Sequence, residues 1–165
     1  MSLDSRLVNL AAAAHKLVED GFTRGTAGSV SLRWEDQCYI SPAGARLNRL
    51  SAADFVPLAI DSPNSWQLKR ASAEHGLHLA CYRARPDLQT VLRIQPPHCM
   101  ALGCAGLSLR ALSSSFVAAV GAEIPLLPYH APASQALTDA VAEAIVHHDA
   151  LLLRNDFSFL EASLA

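Results

Sequence analysis

The chain has 165 residues and a formal net charge of -2, the length of one domain without the basic excess that nucleic-acid binding requires. A hydrophobic content of 51% against 17% charged residues excludes a disordered chain. No apolar run is long enough to span a membrane, and the start MSLDSRL lacks the layout of a secretory signal, so the expected compartment is the cytoplasm. Four cysteines, Cys38, Cys81, Cys99 and Cys104, stand without C-x-x-C spacing and read as buried thiols.

Residues 4–20 are predicted to form an amphipathic helix. Leu7, Leu10, Ala11, Ala14, Leu17 and Val18 share one face, Asp4, Arg6, Lys16 and Glu19 lie off it, and Gly21 ends it. The segment GTAGSVSLR passes from a loop of small residues into a strand, with Val30 and Leu32 on one side and Ser29, Ser31 and Arg33 on the other. A short strand follows at Cys38–Ile40, then the turn Ser41-Pro42-Ala43-Gly44. Ser51 caps a helical turn before a strand at Phe55–Ile60, and the turn SPNS leads to Trp66–Lys69.

Next comes a helix capped by Ser72, with Leu77, Cys81 and Ala84 at helical spacing, stopped by Pro86. Thr90–Ile94 reads as a buried strand closed by Pro96-Pro97. Later elements are a helix at Leu112–Val120, a strand broken by prolines at Ile124–Tyr129, a helix from Ser134 through His147, and a final buried strand, ALLLR. Strands come early and helices intervene later, an order that fits a sheet layered with helices.

Several motifs in fixed order, GTAGSVSLR, ISPAG followed by LSAADFVPL, SAEHGLHLACYRARPDLQTV and ALLLRND, give the chain a resemblance to the class II aldolase/adducin family from about Leu7 to Asp156. The resemblance implies an α/β class fold, three-layer α/β/α with a mostly antiparallel central sheet, in a single domain over residues 1–165 that is shortened at the C-terminus relative to family enzymes. It also implies a homo-oligomer, usually a tetramer.

Family enzymes hold zinc on three histidines, two of them in an H-x-H whose two-residue period turns both imidazoles to one strand face. Here those positions carry Arg93 and Gln95, and the late histidine position carries Asp156. A guanidinium offers no lone pair and brings its own positive charge, so the zinc ligands are absent and no cofactor is expected.

The family's acid/base carboxylate corresponds to Glu74, a remnant without the ion that would stabilise an enediolate. The phosphate pocket corresponds to Gly28, Ser29, Gly44 and Ser72, with Ala43 and Ala73 where the family has hydroxyls. Weak anion binding through backbone N–H groups fits this remnant better than tight phosphate recognition does.

Arg93 is open to two readings: a cation bridging Glu74 and Asp156 in place of the metal, or a solvent-facing side chain at a strand end with Asp156 capping a turn. A relocated metal site on Glu74, His75, His78 and His98 is a further alternative, although no one helix face holds the first three. The expected function is that of a diverged, non-catalytic domain acting by assembly or by binding a small polar or anionic ligand, with neither nucleic acid nor membrane as partner. The alternative is a lyase or epimerase acting on a small sugar phosphate or hydroxy-carbonyl compound.

Overall fold

The computed structural model describes residues 1–154 and the backbone of residues 158–163. Helix α1 (Leu3–Glu19) opens under a cap in which the Ser5 N–H donates to the Ser2 hydroxyl at 3.3 Å. Strands β1 (Ser29–Trp34) and β2 (Gln37–Ile40) form an antiparallel hairpin, and two 3-10 turns lead to β3 (Val56–Ala59). Then come α2 (Ser65–Arg70), α3 (His75–Ala84), β4 (Thr90–Ile94), α4 (Pro97–Ala105), β5 (Leu109–Arg110), α5 (Ser114–Val120), β6 (Glu123–Ile124), β7 (Leu126–Leu127), α6 (Gln135–Ile145), β8 (Ala150–Leu153) and β9 (Ser158–Ser163).

Seven strands make one sheet in the order β3-β2-β1-β4-β9-β8-β7, antiparallel except for the β7–β8 pair. The other two strands, β5 and β6, pair by themselves. Strand alternation sorts the core into two sides. On one side α3 and α6 pack Leu77, Cys81, Val141 and Ile145 against Cys38, Ile40, Val91, Leu151 and Leu153. On the other, α1 packs Leu7, Leu10 and Ala14 against Val30 and Leu32, while Cys99 and Leu102 of α4 and Phe116 of α5 lie against Ala150 and Leu152. The fold is therefore α/β with helices on both faces of a mainly antiparallel sheet.

The structure adds to the local reading or departs from it at five points. Residues 65–70 are helical because the Asn64 N–H donates to Gln67 Oε1 at 3.4 Å in a capping box. The helix expected from Ser72 starts at His75: the Ser72 carbonyl accepts the His75 N–H at 3.0 Å, leaving Glu74 at the cap position. The strand expected to be broken by prolines at 124–129 is interrupted at Pro125, and its two pieces, β6 and β7, join different sheets. Cys104 is exposed and Cys99 half-buried, whereas Cys38 and Cys81 are buried and burial raises both thiols to about 12.

A fifth difference sets the centre of the sheet. Strand β9, in a stretch with no strong strand signal, lies between β4 and β8 and joins the two halves.

Gly28 enters β1 at φ +99°, and a Cβ there would lie 2.9 Å from the Arg93 carbonyl oxygen and 3.2 Å from Thr23 Oγ1. Both the backbone angle and the approach to β4 exclude a side chain. Gly28→Ala is expected to lower unfolding free energy by about 2 kcal/mol or more. Urea titration checks this, and a loss below about 0.5 kcal/mol would show that the loop relaxes freely.

Candidate functional site

The serines of β1 point toward α3. Register places Ser29 opposite Arg93 and Ser31 opposite Val91 on β4, and both serines are fully buried beneath the helix. There His78 takes both: its Nε2 lies 2.7 Å from Ser29 Oγ and its Nδ1 2.7 Å from Ser31 Oγ, which in turn lies 2.8 Å from the Tyr82 hydroxyl. His78 and Tyr82 are one helical turn apart, so one face of α3 meets a two-residue strand period. Burial, with like charge from Arg93 and His75, lowers His78 to about 3, so the ring is neutral.

One turn toward the helix start lies Glu74. Its Oε2 is 3.7 Å from Arg93 Nε, an ion pair rather than a hydrogen bond, with side-chain exposures of 18% and 6% respectively. Burial lowers the proton affinity of the Arg93 guanidinium, and Glu74 opposes that shift. Arg93 thus lies inside the protein, which removes the solvent-facing reading. Asp156, the other proposed partner, lies outside the described residues.

The residues at the expected anion-pocket positions come together at the same end of the sheet. Ser41 ties the pieces together. Its N–H donates to Val30 O at 2.9 Å, its hydroxyl accepts the Val30 N–H at 3.2 Å, and its carbonyl accepts the Ser72 N–H at 3.0 Å. The Pro42–Ala71 bridge and the Ala43 N–H to Arg70 O bond, 2.8 Å, fix the Gly44 turn beside Ser72. Gly28, Ser29, Gly44 and Ser72 are thereby gathered by backbone bonds. The Ser29 hydroxyl is enclosed and engaged by His78, and the Ser72 hydroxyl accepts the Glu74 N–H at 3.3 Å.

Gln95 lies beyond the end of β4 and lines a cavity of about 460 Å³ with Arg24, Ala27, Gly21, Pro97 and Met100. Arg24 was not singled out by sequence, since a lone exposed arginine in a loop carries no pattern. The relocated metal site is not assembled: His78 is enclosed by serines, and His75 Nδ1 contacts the Ser72 carbonyl at 2.9 Å. Among the described residues no three His, Cys, Asp or Glu side chains gather as a metal-binding group. The His78 network was missed as a unit, although its signal was present in Ser29/Ser31 at strand spacing and His78/Tyr82 at helix spacing.

At pH 7, His78→Asn is expected to cost about 2–4 kcal/mol, because two buried hydroxyls lose their shared partner. The native ring binds its proton at about 3 and the unfolded one near 6.5, so the unfolded chain holds more protons between these values. The contribution of neutral His78 is full above pH 6.5 and is lost as pH falls toward 3, by up to about 1.4 kcal/mol per pH unit. The gap in stability between wild type and His78→Asn should accordingly narrow from pH 7 to pH 5. Urea titrations at the two pH values check this, and a constant gap would contradict it.

Comparison with known proteins agrees with this geometry. The L-fuculose phosphate aldolase of Escherichia coli K12 is 32% identical over 135 residues, covering 82% of this chain and 62% of that protein. The 3-oxo-tetronate 4-phosphate decarboxylase of Cupriavidus necator is 32% identical over 149 residues, covering 86% of this chain and 67% of its own length. The crystal structure of L-fuculose-1-phosphate aldolase from Thermus thermophilus superposes with a TM-score of 0.87 at 25% identity, over 98% of this chain and 80% of that one. The chain therefore spans somewhat under two thirds of the length of the Escherichia coli relative. The profile of the Class II Aldolase and Adducin N-terminal domain matches residues 8–156, and with the shared fold it makes this chain a member of the class II aldolase and adducin family.

Proposed function

We propose that this chain is a diverged class II aldolase domain that binds a small polar or anionic ligand and acts without the family's zinc chemistry. The observation that carries the reading is Arg93, buried on the strand position of a zinc histidine and ion-paired with Glu74. A fixed guanidinium cannot ligate a cation and repels one, so the residues present do not fit the metal. The Glu74–Arg93 pair is neutral overall and holds the start of α3 against β4.

Ligand recognition then falls to Gln95, which lines a cavity with Arg24, and to Ser72 and the backbone around Gly28 and Gly44. Assembly is supported by exposed apolar side chains between α4 and α5, with Leu107 at 55% and Leu112 at 89% exposure. A homo-oligomer, the tetramer included, is part of the proposal, as is a cytoplasmic setting. No helix among the described residues is long and apolar enough to cross a membrane.

A second reading keeps the enzyme: Glu74 stands at the head of α3, and the relatives carry the names of sugar-phosphate aldolases and a decarboxylase. Metal analysis of the purified protein, followed by cleavage assays on sugar phosphates with added zinc, separates the two. The expected result is substoichiometric zinc and no turnover. Stoichiometric zinc with turnover abolished in Glu74→Gln would reverse the assignment to an aldehyde-lyase.

A mutant cycle tests the ion pair itself. Arg93→Met alone is expected to destabilise by about 3 kcal/mol, because it leaves the Glu74 charge half-buried, and Arg93→Met with Glu74→Gln should recover much of that loss. Additive losses in urea titrations would show that the two side chains are not coupled.

A further inference from the structure

A separate cavity lies at the opposite end of the same two strands. The β1–β4 register runs from Ser29↔Arg93 to Leu32↔Thr90, so the Arg33 end stands roughly 13 Å from the Arg93 end. There α1, the β1–β2 turn and the loop between α3 and β4 frame an open cavity of about 510 Å³, lined by Arg6, Arg33, Trp34, Glu35, Pro86 and Gln89.

Two guanidiniums define it. Arg6 stacks over Trp34, with Cζ 5.4 Å from the ring centroid, and its Nη1 donates to Gln89 Oε1 at 3.2 Å. Arg33 stacks over Tyr82 at 5.3 Å and donates to the carbonyls of Tyr82 at 2.8 Å, Pro86 at 2.6 Å and Arg85 at 3.5 Å, at the negative end of α3. Among the described residues neither forms an ion pair with a carboxylate. Asp87, which feels the Arg33 charge, is bonded to Arg85.

The Nε–H groups of Arg6 and Arg33 are both buried without a hydrogen-bond partner. Two guanidiniums thus line one cavity, their bonds to Gln89 and to the Tyr82, Arg85 and Pro86 carbonyls go to neutral acceptors, and on a chain of net charge -2 their local positive charge is one that an anion would balance.

We propose that this cavity binds the oxyanion group of a small molecule, a phosphate or a carboxylate, with Arg6 as the directly contacting residue and Arg33 as a second charge held in place by α3. The volume suits a metabolite-sized ligand. The exposed Glu35 at the rim disfavours a long polyanion, and Arg6, held flat on Trp34 with Nη1 on Gln89, keeps its guanidinium in the cavity lining, where an oxyanion pairs with it.

Trp34 supplies the readout. In a Trp66→Phe background, which removes the chain's other tryptophan, Trp34 fluorescence is followed during titration with inorganic phosphate and, separately, with malonate at constant ionic strength, with chloride as control. Saturable change with phosphate alone assigns a phosphate site, and with malonate alone or with both a carboxylate-accepting one. Saturation by neither anion overturns the proposal.

Arg6→Gln is expected to weaken binding about tenfold. Glu35→Gln, a change in an exposed turn, is expected to tighten it about threefold by removing a like charge. Undiminished binding in folded Arg6→Gln, or binding in Glu35→Gln that is unchanged or weaker, would overturn the assignment.

Discussion

The burial of one neutral histidine governs how this molecule is put together. His78 lies wholly inside, and the polar partners it needs come from β1, where Ser29 and Ser31 present hydroxyls to its two ring nitrogens. An imidazole in that setting cannot carry charge, because burial removes the water that would solvate it and Arg93 adds positive potential. The polar face of β1 is therefore not a solvated face. It is an internal seam, and α3 is docked on the sheet by hydrogen bonds in addition to its apolar contacts.

That docking fixes the chemistry one turn away. Glu74 and His78 belong to the same helix, and Arg93 belongs to the strand beside Ser29, so seating His78 on the serines brings the Glu74 carboxylate toward the guanidinium. The Ser41 bonds extend the same seam to the Gly44 turn and to Ser72. The buried guanidinium of Arg93 thus sets a fixed positive charge beside the Glu74 carboxylate.

The other end of β1 obeys the same strand period with a different outcome. Ser29, Ser31 and Arg33 share a face, but Arg33 stands at the last turn of α3, where it stacks over the Tyr82 ring and donates to the carbonyls of the helix end. With Arg6 delivered by α1 and Trp34 by the next position, charge accumulates where the helix ends. One strand thus serves two regions, a sealed polar seam at its start and a cationic recess at its close.

Much of this was legible in the chain. Alternation in β1 assigned Val30 and Leu32 to one side and the serines to the other, because side-chain direction in a strand is a local property of the backbone. Motif order identified the family, and the substitution at Arg93 excluded imidazole ligation there, since guanidinium chemistry does not depend on context. Tertiary structure decided the rest. It decided that Ser29 and Ser31 are enclosed, that residues 65–70 are helical, that β9 lies between β4 and β8 and that Arg6 and Arg33 line one cavity, because each depends on which distant segment packs alongside, and packing energy outweighs local preference wherever the two compete.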